Sequence, residues 1–319
     1  MNGIKRKNTA ILRYQNLRWG VRNISTLALL KGIPHHSSAS KGQPKIQTTK
    51  PSNSSSTTAR ATPPNTWVQQ ETQFLISPAD KLIKTHSEFL SNSQCSDPED
   101  SDKIRQDDTT EEDVKAATLK YVLDPVSKAL GRLPIKDIII EVAMAPPSPS
   151  AIFPRERSKH CDVVFTARHK DGKETAVMCL ELKNRGHVFH AEKQFKNAAV
   201  DKLEEAKLEK RMQLADNALV LSKQATVYAN DYETPFVAVF DYDAIFFWRF
   251  DNLPSDRVKD RTAGTYGAGW FSKDGTEITR MLLGFAIEAL KHKKLLKDED
   301  LTVVPKGSGH EISPKDEGM

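Results

Sequence analysis

Residues 161–184 read CDVVFTARHKDGKETAVMCLELKN, two apolar runs on either side of Asp171-Gly172. Asp-Gly is a preferred pair for a two-residue type I′ turn, so the stretch reads as a β-hairpin with Lys170 opposite Lys173. Side chains alternate between the faces of a strand, and register is carried outward from the turn. Stepping outward places Asp162 across from Glu181 on one face, and Lys183 on that same face across from His160. Two carboxylates at cross-strand distance repel each other unless a positive charge lies between them. Lys183 supplies some of that charge, and a divalent cation fits better. Oxygen ligands without His or Cys suit Mg²⁺ or Mn²⁺. One extra residue in either strand, a β-bulge, would break this register.

Around the hairpin, apolar periodicity gives a coarse order. TEEDVKAATLKYVLDPVSKAL reads as a helix capped by Thr110, with an acidic first turn and a kink or end near Pro125. KDIIIEVAMA reads as a strand closed by the loop PPSPS, HAEKQFKNAAVDKLEEAKLEKRMQL as one long charged helix, and DNALVLSKQATVYANDY as a second helix. PFVAVF and AIFFWRF are strands covered on both faces, and EITRMLLGFAIEALKHKK is a closing amphipathic helix. Helices on both sides of a mixed central sheet make an α/β sandwich. The domain is expected over 111–297, after an accessory helical segment at 67–93 and an acidic linker at 94–110. A polar tail follows at 298–319.

With the hairpin placed, Asp162 followed nineteen positions later by Glu181-Leu182-Lys183 resembles the signature of the PD-(D/E)xK nuclease superfamily, which has a restriction-endonuclease-like core. The order of elements around it matches, and Gln224 and Tyr228, one helical turn apart, resemble the QxxxY element of RecB-like members. ELKN, DNALVLSKQATVYA and TPFVAVFDYD together look like the nuclease-like domains of fungal proteins. Cys161 replaces the proline of the family name. The resemblance implies a metal-dependent nuclease acting on DNA. Asp162, Glu181 and the Leu182 backbone carbonyl would hold Mg²⁺ or Mn²⁺, Lys183 would be catalytic, and Gln224 and Tyr228 would support it. Glu141 is a further candidate carboxylate and His160 a neighbour. The alternatives stay open: a hairpin edge whose charges Lys183 and His160 neutralise, and an ordinary polar patch at Gln224 and Tyr228. At the level of function they become a non-hydrolytic module binding nucleic acid or protein, or an interaction surface on the charged helix.

The 319 residues carry 47 Lys and Arg against 42 Asp and Glu, a net charge of +5. That excess is local: residues 1–70 hold eleven basic residues and no acidic one, leaving 36 basic against 42 acidic, a net of −6, for the rest. Three scattered cysteines exclude a disulfide framework and a zinc knuckle. No apolar run spans a membrane, so no membrane partner is expected. Residues 1–66 read as a disordered basic tail or a transit peptide, which points to the mitochondrial matrix or, through Lys5-Arg6-Lys7, the nucleus. The cytoplasm is also open, and secretion is disfavoured. A fluorescent protein fused behind residues 1–66 is expected to enter mitochondria; a signal confined to nucleus or cytosol rejects the transit reading.

Overall fold

The computed structural model describes residues 61–87, 90, 111–144, 161–251 and 266–303. The elements run β1 (Trp67–Gln69), α1 (Gln73–Thr85), α2 (Glu111–Thr118), α3 (Asp124–Leu130), β2 (Ile138–Met144), β3 (Val163–His169) and β4 (Glu174–Leu182). They continue with α4 (Glu192–Asn197), β5 (Ala199–Val200), α5 (Leu203–Leu208), α6 (Asp216–Asp231), β6 (Phe236–Phe240), β7 (Ile245–Phe250), β8 (Gly267–Ser272) and α7 (Gly275–His292). The expected Thr110 cap, the linker at 94–110, the loop PPSPS, His160 and the part of the 298–319 tail beyond 303 lie outside the described residues, as do residues 1–60. The start of that tail is folded, since Glu299–Thr302 form a 3-10 turn with Leu301 buried in a core of the domain.

Among the described residues, all eight strands join one mixed sheet in the order β2-β3-β4-β6-β7-β8-β1-β5. The hairpins β2-β3-β4 and β6-β7-β8 are antiparallel, and β4 pairs β6 in parallel. A parallel pair needs a crossover connection, and the segment from α4 to α6 provides it. One core lies between the sheet and α1, α2, α3 and α7; the second lies between the other face and α4 and α6. β6 and β7 are buried on both faces, with Phe240 and Phe247 in the first core and Val239 and Phe246 in the second. This double burial accounts for their continuous apolar runs. The class is α/β, as the sequence implied.

The hairpin differs from expectation in two places. Lys170, Asp171 and Gly172 make a three-residue loop, in which Gly172 donates its N–H to the His169 carbonyl at 2.9 Å with φ 85°. Near the turn Arg168 therefore pairs with Glu174 and Thr166 with Ala176, one position off the two-residue register. A bulge between Phe165 and Thr166 then leaves Val177 over, and beyond it Val163 pairs with Leu180, which is the expected register. Val177 and Met178 both enter the first core, while Ala176 and Cys179 face the second. The loop and the bulge offset each other, so Asp162 and Glu181 still fall at opposed positions.

The long charged helix expected over 190–214 is broken into α4, β5 and α5. The chain before β1 breaks it. Trp67 donates its backbone N–H to the Ala198 carbonyl and its indole Nε1 to the Phe195 carbonyl, and Thr66 donates its hydroxyl to Ala198. Parallel pairing of β1 with β5 outweighs the helical propensity of that stretch. Residues 67–85 are thus part of the domain and not an accessory layer. At Pro125, which lacks an N–H, the helix slips instead of ending: Leu119–Leu123 form a π turn in which Asp124 donates to the Leu119 carbonyl. Among the described residues no helix is long and apolar enough to cross a membrane.

α1 crosses α7 at Gly284, where an added Cβ would lie 1.7 Å from the Leu75 carbonyl oxygen. In an ordinary helix interior, alanine is favoured over glycine by about 1 kcal/mol. Here the clash with backbone reverses the sign. Gly284→Ala is expected to destabilise the fold by about 3 kcal/mol, read as a lowered denaturant midpoint with an unchanged slope.

Candidate functional site

Asp162 lies one residue before β3. Its Oδ2 accepts the Leu182 N–H at 2.9 Å, and its Oδ1 pairs with Lys115 Nζ at 3.1 Å. Glu181 and Lys183 leave the end of β4 on the face covered by α6, and Lys183 Nζ reaches Glu181 Oε1 at 2.6 Å. The other oxygen, Oε2, is buried and takes no hydrogen bond. A carboxylate oxygen withdrawn from water without a donor is unfavourable and marks a place that a cation would satisfy. On the β6 side Lys183 donates its N–H to the Phe240 carbonyl at 2.9 Å. Backbone groups alternate direction along a strand, so the Leu182 carbonyl turns to the β3 side, where Asp162 sits.

α6 closes the face. Gln224 and Tyr228 are 6% and 2% exposed, and Gln224 Oε1 is a second buried oxygen without a donor. The Tyr228 phenol lies beside the Glu181 carboxyl, and its pKa is raised by burial and then by the charge of Glu181. Glu181 itself is pushed up to about 7 by burial, against the attraction of Lys183 and with added repulsion from Asp162. Burial lowers His187, on the loop after β4, and the Lys183 charge lowers it further.

The structure brings together Asp162, Glu181, Lys183 and Tyr228, with Gln224 one helical turn before Tyr228 on α6. It does not bring Glu141, which sits on β2 opposite Thr166 and pairs with Arg168 along the strand from the cluster. His160 lies outside the described residues. Of the basic residues near the site, Arg185 is locked on Asp243 by bonds of 2.8 and 2.9 Å, and Lys196 is paired with Glu192. Cys161 is fully buried, its thiol directed at the Val163 and Leu180 carbonyls and pushed up by burial, so it packs and does not react.

Two residues escaped sequence reasoning. Lys115 on α2 carries its amine to Asp162 while also pairing with Glu111 at 3.0 Å. Burial lowers its pKa, but Glu111 and Asp162 outweigh that and hold the amine protonated. The second is Asp241, fully buried after β6, whose Oδ2 accepts the N–H groups of Val188 and Phe189 at 2.6 and 2.9 Å. Its Oδ1 accepts those of Asp243 and Ala244 at 3.1 and 2.8 Å. The only sequence signal was a carboxylate directly ending an apolar strand.

No protein-family model, curated protein or solved structure matches the chain. The nuclease resemblance therefore rests on these residues alone. Among the described residues no group of three or more His, Cys, Asp or Glu side chains is placed to hold a metal ion. The oxygens that a cation could use here are two carboxylates and one carbonyl, a set that would suit a hard ion keeping several waters.

Because Glu181 titrates near 7 when folded and at 4.5 ordinarily, the folded chain holds that proton more tightly than the unfolded chain. Stability from Glu181 is present below pH 4.5 and is lost as pH rises to about 7. Relative to wild type, Glu181→Gln should gain stability across that window, by up to about 3 kcal/mol, and then level off. Denaturant melts of both proteins at stepped pH values check this.

Proposed function

We propose that the chain is a metal-dependent nuclease that hydrolyses phosphodiester bonds, most naturally those of DNA, at the Asp162–Glu181–Lys183 cluster. The observation that carries the reading is the buried Glu181 carboxyl, with no hydrogen bond formed at Oε2 and the Tyr228 phenol beside it, at a position opposed to Asp162. Asp162, Glu181 and the Leu182 carbonyl would hold Mg²⁺ or Mn²⁺. When bound, such an ion supplies an acidified water and neutralises charge on the scissile phosphate. Lys183 offers a compact positive charge that can pass from Glu181 Oε1 to a phosphate oxygen or to the attacking water. Tyr228 would steady the Glu181 carboxyl, and Gln224, one helical turn before it, would help keep water from the inner side.

A second reading, a non-hydrolytic module on the same scaffold, is favoured by one observation. Both carboxylates already have lysine partners, Asp162 with Lys115 and Glu181 with Lys183. A lysine that neutralises each carboxylate permanently would leave nothing for a cation to do. The two readings diverge in the melting temperature of the full chain. The nuclease reading expects a rise with Mg²⁺ or Mn²⁺ that grows between pH 6 and 8, as Glu181 gives up its proton near 7.

In cleavage assays on single-stranded, double-stranded and flapped DNA, wild type should act only with Mg²⁺ or Mn²⁺, and Ca²⁺ should inhibit. Ca²⁺ takes oxygen ligands at longer, more flexible distances. Glu181→Ala should lose both cleavage and the metal-induced shift. Lys183→Ala should keep the shift and lose about 10²-fold or more in rate. No cleavage and no shift in wild type would reject the nuclease reading in favour of the non-hydrolytic one.

A further inference from the structure

The loop that leaves β4 carries an apolar ring into solvent at the end of the sheet where the polar cluster lies. Phe189 is 38% exposed, although Val188 before it is fully buried. The ring does not sit there loosely, because Asp241 Oδ2 holds the N–H groups of both residues. Asp241 follows Phe240, whose carbonyl takes the Lys183 N–H. Two positions before Phe189, the His187 side chain lies within electrostatic reach of Lys183. The mount is therefore one strand away from the Glu181–Lys183 pair, at the same end of the sheet.

The surroundings of the ring are basic. Lys273 Nζ lies over one face of the ring, 5.8 Å from its centroid, which leaves the opposite face for stacking, and His190 meets the ring with centroids 5.5 Å apart. Glu192 is shared by Lys196 at 2.7 Å and Lys273 at 3.0 Å, so this trio keeps one positive charge in excess. Lys193, exposed on the same helix, adds another. A rigidly mounted, half-exposed aromatic ring within a positive rim is what an unpaired base needs: a face to stack on and cations for the adjoining phosphates.

We propose that Phe189 is a stacking platform for an unpaired nucleobase of a strand entering the Glu181–Lys183 site. This rests on the nuclease reading and narrows its substrate to nucleic acid with unpaired nucleotides. A base within a duplex has both faces covered by its neighbours and cannot lie on the ring without being unstacked.

The test uses the full chain in metal-free buffer containing EDTA, where binding is read without hydrolysis. Fluorescence anisotropy with labelled oligothymidine and with a labelled blunt duplex gives Kd for wild type, Phe189→Ala and Phe189→Trp. Phe189→Ala should weaken oligothymidine binding about 5- to 100-fold, the loss of one stacked base. Its salt slope should not change, since no phosphate contact is removed. Phe189→Trp should restore binding, and the duplex Kd should move less than about twofold across the series. An oligouridine probe shows whether the platform takes DNA or RNA, and tight binding of either satisfies the proposal. Equal binding by wild type and Phe189→Ala, or an equal loss on the duplex, overturns it. Wild-type cleavage with Mg²⁺, measured alongside, separates the failures: cleavage with no effect of Phe189→Ala removes only the platform. A wild type that neither binds nor cleaves removes both.

Discussion

Four backbone N–H groups converge on the fully buried carboxyl of Asp241, and the end of the sheet that carries the polar cluster is organised around them. Two come from the loop that leaves β4 and two from the turn that joins β6 to β7. The turn needs this help, because Tyr242 has φ 73°, a conformation that a bulky residue adopts only when its surroundings enforce it. Burial pushes the Asp241 carboxyl up to about 7, while the N–H groups of Phe189, Ala244 and Val188 pull it down. Without Asp241 those four donors would be left unpaired in the interior, each an appreciable cost. The same residue thus fixes the loop that carries His187 and Phe189 to the end of β6, the strand with which Glu181 and Lys183 pair.

The electrostatics of the cluster depend on burial more than on charge count. The described chain offers many exposed ion pairs of small energetic value, such as Lys207 with Glu204. Lys183 and Glu181 differ from these, with side chains 12% and 8% exposed. In such a setting a missing partner matters more than a present one, and Glu181 has one oxygen paired and one bare. Lys115 brings a charge from a different layer, since α2 packs its apolar side on the first core while its amine reaches Asp162. The two carboxylates therefore answer to different helices, α2 for Asp162 and α6 for Glu181.

The sequence conveyed the parts of this arrangement that lie close together in the chain. Asp162, Glu181 and Lys183 were legible because one hairpin contains them, and Gln224 with Tyr228 because one helical turn does. The register of the hairpin came out right for an incomplete reason: a third turn residue and the extra Val177 shift the strands in opposite senses. Nothing local announces that bulge. Lys115 and Asp241 were not legible, since their roles arise from contacts between segments distant in sequence. The break in the 190–214 helix is of the same kind, as it depends on Trp67 arriving from more than a hundred residues away. β8 escaped because Gly267 and Gly269 weaken its strand signal, although Gly269 is needed there: a Cβ would lie 2.3 Å from the Trp67 ring.

The seam between β1 and the crossover also sets a boundary on truncation. Asn65 donates its side-chain amide to the Glu209 carbonyl at 2.9 Å and accepts the Gln213 N–H at 2.8 Å, and Thr66 follows on Ala198. These contacts hold the irregular stretch after α5, which has few bonds of its own. A chain shortened to begin at residue 65 would leave this seam closed. One shortened by two residues more would lose Asn65 and Thr66 and with them the bonds to Glu209, Gln213 and Ala198. The fold thereby carries its own limit on how far it can be shortened from that side.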